Sequence, residues 1–489
     1  MPTRVGTQHT SHARRLRWLA LIVLCGGGLM MVLDTTIVNV ALPSIERDLR
    51  FSQASLAWVV NAYLVPFGGL LLLAGRLADL IGRKRMFLVG LTVFTAASLL
   101  GGLSGSQGLL VGARLVQGVG AAMAMTVILG IIVTTFGDPR EQARAIGVFS
   151  FTTASGASIG LLAGGLLAQA VSWHWIFFVN VPIGVAAVLL AARLVETDPG
   201  SGLRRGADVA GALLVTSALV LGVYTIVETT DAGWGSARTV SLGMIALVLL
   251  VGFLVRQVRA SHPLLPLGLF RSRSVSGANL VQVLMMAGLF GMFFLGALYM
   301  QGVLGYDPIE IGLAFLPMAA VIAAFGLGLA AELNTRFGAR RMLVVGLAMI
   351  VVGLALLTRA PVEARYAVDV LPAMVLSGVG FGLTFPGTMT LGMSGATSSD
   401  SGLLSGLLQT SSQVGGSLGL AVLAAVSTSR TNGLLAAGQG AAAAFTDGYH
   451  LAFAAGTGVV ALAIVVAVAV PRSESVAAAR TTDEREQVA

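Results

Sequence analysis

The chain has 489 residues, of which 56% are apolar and 11% charged, and its mean hydropathy is +0.89. No water-soluble core hides that much apolar surface, so a bilayer must solvate it. The net charge of +8 does not mark a nucleic-acid binder, because the basic residues sit in short runs between apolar segments instead of along one stripe.

In chain order, Arg14, Arg15 and Arg17 precede an apolar stretch from Trp18 to Leu42. At about 25 residues it exceeds a signal-peptide core and has no small-x-small cleavage site, which predicts a retained first helix. Cys25, the sole cysteine, lies inside it, so disulfides and thiolate metal sites are excluded. Fourteen apolar segments of spanning length follow one another, near 17–42, 55–74, 86–104, 108–134, 143–168, 174–193, 208–229, 239–256, 275–302, 309–331, 341–358, 366–393, 402–427 and 449–471. Their unbroken apolar runs exclude a barrel, whose strands alternate, so each must satisfy its backbone internally as a helix. The expected fold class is an all-α polytopic membrane protein.

With the N-terminus in the cytoplasm, 23 Arg and Lys fall on the cytoplasmic side, six fall outside, and Arg114 lies within a helix. The cytoplasmic set includes Arg76, Arg83, Lys84 and Arg85, then Arg204 and Arg205, then Arg256, Arg259, Arg271 and Arg273. That imbalance predicts both termini inside. The chain also repeats itself: GRKRMFLVGL at 82–91 matches GARRMLVVGL at 338–347 in six of ten positions. The match predicts a duplicated six-helix unit with two helices inserted between the copies, an arrangement common in transporters that rock two halves about a midplane site. The predicted divisions are a cytoplasmic tail (1–16), a first bundle (17–193), the inserted pair with its connector (194–274), a second bundle (275–471) and a second cytoplasmic tail (472–489).

Over nearly its whole length the chain resembles the major facilitator superfamily, and within it the fourteen-helix drug:proton antiporters. LDTTIVNVALP at 33–43 is similar to the first-helix motif, and GRLADLIGRKR at 75–85 to the signature loop between helices two and three. RLVQGVGAA at 114–122 is similar to the fourth-helix motif, GASIGLLAGG at 156–165 to the glycine-rich fifth-helix motif of antiporters, and WHWIFFVNVPIG at 173–184 to the start of helix six. Leu161 stands where the fifth-helix motif usually has proline, and His174 where helix six usually opens with arginine.

Asp34 is the only acid well inside an apolar segment, so it should face the bundle interior and be protonated, paired or hydrated. It is either a proton carrier or an acid that ties helices together. By helical rise, Arg114 lies within some 7 Å of Asp34 in depth, and the resemblance places their helices side by side. Arg114 could instead snorkel to the outer interface. In the signature loop, Gly75 and Gly82 permit close approach, and the resemblance implies that Asp79 and Arg83 form a cytoplasmic conformational latch; the alternative is a simple positive-inside anchor. The repeat has Thr335 where Asp79 stands, so any second latch is expected to be weaker.

Gly156, Gly160, Gly164 and Gly165 leave a flat groove for a neighbouring helix; the link of that motif to antiport rests on the resemblance. Asn39, Asn61, Gln117, Gln409 and Gln413 are candidates for a substrate cavity. Like Asn180 and Gln282, these amides could equally just bridge helices. Glu228, His174 and His450 sit near outer helix ends and are expected to be interfacial. Met285, Met286, Phe290, Phe293 and Phe294 fit either an adaptable pocket or lipid-facing filler.

The expected function is proton-coupled export of amphiphilic or cationic small molecules, such as antibiotics or a secreted metabolite. The alternative is a proton-linked transporter of a lipid, siderophore or nutrient on the same fold. A membrane enzyme ranks below both, because no loop carries a cluster of catalytic residues. No catalytic residue, cofactor or metal site is predicted, and no phosphate-binding loop encodes ATP drive. The expected partners are the substrate, protons and the lipid of a bacterial cell membrane, with no nucleic acid, and the chain is expected to act as a monomer.

Overall fold

The computed structural model of the chain describes residues 5–469 apart from 137, 199, 201, 203–206, 262, 326–328 and 394–400. Arg204, Arg205 and the predicted second tail at 472–489 lie outside the described residues. The described chain is helical, with no strand among its elements.

The first group comprises α1 (Val5–Leu49), α2 (Gln53–Ile81), α3 (Arg83–Gly102), α4 (Gln107–Thr135), α5 (Pro139–Ala170), α6 (Trp175–Phe178) and α7 (Asn180–Leu194). Next come α8 (Val209–Ala232) and α9 (Ala237–Arg259), then α10 (Arg273–Gly302), α11 (Pro308–Ala324), α12 (Ala330–Phe337) and α13 (Ala339–Leu357). The series ends with α14 (Leu371–Gly392), α15 (Ser401–Ala436) and α16 (Ala441–Ala469).

Among the described residues, eleven helices or helix pairs are long and apolar enough to cross a membrane, and two shorter apolar stretches lie in α5 and α11. The fourteen apolar segments coincide with helices over their described residues; those on α5 and α11 include positions outside the described set, and the one on α15 is less apolar. In α15 the cause is visible in the sequence: Ser, Thr and Gln between 409 and 417 dilute the apolar run. The α6–α7 pair is one span interrupted at Val179.

Helix starts carry ordinary signals. The Ser52 hydroxyl accepts from the Ser55 amide, and Asp307 forms a capping box with Glu310 ahead of Pro308. Asp208 and Ser236 cap α8 and α9 in the same manner. On α9 the buried residues are Thr239, Ala246, Phe253 and Gln257, a spacing that lays one stripe on α8 and leaves the rest of the helix to lipid. The five Met and Phe residues of α10 serve neither expected purpose simply. Met285 and Phe294 are fully buried, Phe293 stacks on Phe315 at 5.2 Å, and Phe290 fills the space beside Gly416. They are interhelical packing, not lipid-facing filler.

Packing falls into two clusters. In the first, α1 lies on α5 and α7, and α4 lies on α2 and α3. In the second, α10 lies on α15 and α16, and α13 on α14 and α16. The clusters meet along α2 with α15 and α5 with α11, and α8 reaches both α2 and α15.

The internal repeat is visible in the backbone. Gly82 (φ 99°, ψ 137°) and Gly338 (φ 88°, ψ 135°) turn the chain between consecutive helices in the same way. Both have positive φ, which glycine adopts without a Cβ penalty. Two residues after each turn, a cation reaches the carbonyl end of a later helix. Lys84 Nζ donates to the Ala192 carbonyl at 2.9 Å, and Arg340 donates to the carbonyls of Ala467 and Val468. A cation there satisfies orphan carbonyls and the negative end of the helix dipole.

Candidate functional site

The centre of the first cluster holds a buried ion pair. Asp34 on α1 is 0% exposed and Arg114 on α4 is 1% exposed, with Arg114 Nη1 donating to Asp34 Oδ2 at 2.5 Å. Removing both charges from water is costly, and such a pair persists only where further hydrogen bonds satisfy the remaining donors and acceptors. Here they do. Gln117 Nε2 and Asn180 Nδ2 each donate to Asp34 Oδ1 at 3.1 Å. Arg114 Nε donates to the Val59 carbonyl at 2.9 Å, and Nη1 also donates to Gln117 Oε1 at 3.0 Å. Gln117 Nε2 reaches Ser98 Oγ at 2.8 Å. Tyr63 places its ring centroid 4.5 Å from the guanidinium and Phe177 at 5.9 Å, both within reach of a cation–π attraction. Hydrogen bonds from α4 and α7 meet the carboxylate of α1, and α2 and α3 complete the network through Val59 and Ser98.

Arg114 is thus a partner of Asp34 and does not snorkel. Gln117 belongs to this network too, three residues after Arg114 and so on the same helix face. The sequence offered Asn180 only as one amide among several, and gave no sign of Ser98 or the Val59 carbonyl. Val59 contributes a backbone atom, which no sequence pattern advertises.

The glycine motif positions the helix that carries Asp34. A Cβ on Gly156 would meet Leu29, one on Gly160 would lie 3.0 Å from the Leu33 carbonyl, and one on Gly164 would lie 2.9 Å from the Ile37 carbonyl. The α5 groove is therefore filled by α1 on both sides of Asp34. Gly165 faces elsewhere: a Cβ there would lie 2.6 Å from the Pro308 carbonyl of α11. Leu161, in the usual proline position, leaves α5 an unbroken helix, and its carbonyl abuts Gly312.

The remaining amides do not share one cavity. Asn39 donates to the Thr35 carbonyl of its own helix at 2.8 Å. Asn61 is fully buried with neither amide atom hydrogen-bonded. Gln413 packs its Cβ against Gly68, and its Oε1 has no partner. Gln409 and Gln282 line a small space with Phe385, Met389 and Leu408. Glu228 pairs with Arg238 at 3.0 Å, His174 stacks on Trp173 at 3.7 Å, and His450 Nε2 lies 2.8 Å from the Ala360 carbonyl.

In the signature loop, Asp79 and Arg83 approach to 3.8 Å with side chains 55% and 34% exposed, a geometry worth little in water. Gly75 packs on Thr126, and Arg83 Nη1 also reaches the Gly130 carbonyl at 3.4 Å. Sequence reasoning missed Asp198. Its carboxylate accepts from the backbone amides of Arg83 at 2.9 Å and Lys84 at 3.3 Å, satisfying orphan donors at the start of α3. The side chain of Thr335 lies outside the described set.

The chain folds as two helical clusters, the first with a buried ion pair at its centre, and the Major Facilitator Superfamily profile matches residues 24–420, which makes it a membrane transporter. The chain belongs to that superfamily. It is 40% identical over 457 residues to the puromycin resistance protein of Streptomyces alboniger, covering 92% of this chain and 90% of that protein. It is 37% identical over 418 residues to the cephamycin export protein of Amycolatopsis lactamdurans, covering 85% and 86%. Among solved structures, a POT family peptide transporter aligns with a TM-score of 0.68 at 16% identity, covering 93% of this chain and 98% of that one. A bacterial homologue of the human lysosomal transporter Spinster aligns at 0.65 and 18%, covering 92% and 96%. These likenesses establish a shared fold.

Proposed function

We propose that this multi-pass transporter exports an antibiotic or related amphiphilic small molecule from a bacterial cell, driven by inward proton flow. The observation that carries the coupling is the Asp34–Arg114 pair, because among described residues of the spans Asp34 is the fully buried carboxylate. The export direction rests on relatives that resist or export puromycin and cephamycin. A carboxylate whose charge is balanced by one guanidinium can exchange that partner for a proton, and the freed cation then changes the field in the cavity. The bundles at 17–193 and 275–471 would rock against each other in alternating access, carrying this pair within the first. A proton-motive force of about 150 mV supplies roughly 3.5 kcal/mol per charge, which sustains a concentration ratio of a few hundred for a neutral substrate exchanged for one proton.

Purified protein in proteoliposomes tests the reading. With a pH gradient imposed, a panel of antibiotics, cationic dyes and lipids should show uphill movement of at least one amphiphile that collapses when a protonophore is added. Uphill movement that survives the protonophore would remove proton coupling.

The proposed orientation has both termini and segment 256–273 in the cytoplasm. In a Cys25→Ser background, an impermeant thiol reagent added to intact cells should modify Ser106→Cys and Ser236→Cys and spare Ser261→Cys. Modification of the last from outside would overturn the orientation.

A further inference from the structure

The α8–α9 turn, the last third of α15 and α16 enclose a cavity of about 640 Å³. Its floor is one stripe of α15 from Ala425 to Ala437, and Trp234 and Leu451 also line it. The contacts of α2 fix which end of the molecule this is. The helix α2 runs toward the signature loop. Along it, Gly406 of α15 lies against Leu72, Gln413 against Gly68, and Ala421 packs with Val65. On α8, Ala212 packs with Leu73 and Tyr224 reaches Trp58. Both helices therefore run away from the signature loop. The cavity lies at the opposite membrane surface, the outer one in the proposed orientation.

Depth and chemistry then narrow the occupant. The apolar run of α15 ends near residue 427, so Arg430 stands about 5 Å beyond it along the helix, inside a headgroup layer roughly 5–8 Å deep. Ala425 and Val426 lie below that level, as does Leu451, two residues into the apolar run of α16. Leu451 is 46% and Trp234 65% exposed, so both are open to lipid and its headgroups. Three side chains that can donate hydrogen bonds line the cavity: Arg430, Ser429 and Trp234. All three are exposed. Arg430 forms none of the described ion pairs, and among the described residues neither Ser429 nor Trp234 has a side-chain hydrogen-bond partner. An arginine fork matches two oxygens of a phosphate. Tryptophan, apolar in body and a donor at one edge, suits the headgroup level. The apolar wall beneath suits the first methylenes of an acyl chain. A soluble anion would use only the polar part of this surface, and an uncharged drug would leave the cation unmatched.

We propose that this cavity binds an anionic phospholipid of the outer leaflet, with the phosphate on Arg430 and Ser429 and the upper acyl chain against Val426 and Leu451, beside Trp234. The test needs no transport substrate, so it stands apart from the export reading. Delipidated full-length protein in detergent is titrated with phosphatidylglycerol and, separately, with phosphatidylcholine, and bound lipids are counted by native mass spectrometry. The first phosphatidylglycerol should bind about fivefold more tightly than the first phosphatidylcholine. Arg430→Gln, at an exposed position where folding is undisturbed, should remove that preference. Arg430→Lys keeps the charge without the fork and should retain part of it. Arg359→Gln deletes another exposed arginine at the same end of the molecule, beside the Ala360 carbonyl that His450 of α16 contacts, and should leave the preference intact. A phosphatidylglycerol with a photoactivatable group at the top of one acyl chain should label residues between 425 and 451 in the wild type and severalfold less in Arg430→Gln. Equal binding of the two lipids, or a preference unchanged by Arg430→Gln, would overturn the proposal. So would displacement of phosphatidylglycerol by inorganic phosphate, which would make Arg430 a site for a soluble anion, or labelling of this segment that Arg430→Gln does not reduce.

Discussion

Asp34→Asn is expected to reduce gradient-driven export to the level of empty vesicles in protein that still inserts, though with lowered stability because Arg114 loses its counter-charge. The amide is nearly the shape of the carboxylate and can still accept through Oδ1 from Gln117 and Asn180, which now donate to it at 3.1 Å. What it cannot do is alternate between a charged and a neutral form, and that alternation is the proposed coupling step. Downhill exchange of a neutral substrate has no such requirement and should persist. Asp34→Glu keeps the titrating group but lengthens it by a methylene in a fully buried site, so partial export with altered pH dependence is expected. The measurement is export into vesicles under an imposed gradient at several pH values for the three proteins. Wild-type uphill export by Asp34→Asn would move the proton site elsewhere, with Glu228 next in line despite its pairing to Arg238.

The second large effect is on stability. Arg114→Ala should destabilise the folded protein by about 3–5 kcal/mol, because it leaves a buried carboxylate without its counter-charge and removes three donated hydrogen bonds. Replacing both members, Asp34→Asn with Arg114→Gln, should cost less than Arg114→Ala alone, since no uncompensated charge remains. Thermal unfolding of detergent-solubilised protein, followed by tryptophan fluorescence, gives the order. Equal destabilisation by the single and the paired variant would mean that the two charges are not energetically coupled.

Much of this centre is legible in the sequence, because a charge inside an apolar segment has few bland explanations. Asp34 and Arg114 stood out for that reason, and helical rise alone brought them to similar depth. The amides did not sort themselves. Gln117 and Asn180 bind the carboxylate while Asn39 bonds to its own helix, yet all three look alike as single polar letters in apolar runs. The difference is set by rotation about the helix axis and by which neighbour lies opposite, and both arise from packing. Asp198 was invisible for the complementary reason, since an acid in a polar connector reads as solvated until its two backbone donors are seen. The glycine motif was recognised as a groove, but the occupant of that groove, the segment of α1 flanking Asp34, follows only from the fold. The span on α15 is harder to recognise by apolarity, because that helix carries polar residues through its middle.

The fastening of each bundle's third helix to a much later one bears on how the chain is made. Lys84 is 108 residues from the carbonyl it binds, and Arg340 is 127 from its first acceptor. A ribosome adding 5–20 residues per second needs about 5–25 seconds to cover those intervals. During that time α3, and later α13, must sit in the bilayer without that contact, its end held by neighbouring helices and by basic residues among lipid headgroups. Each bundle closes this end only when its final helix arrives, so a nascent chain arrested before Ala192 or before Ala467 would present an unfinished face to the quality-control proteases of the membrane.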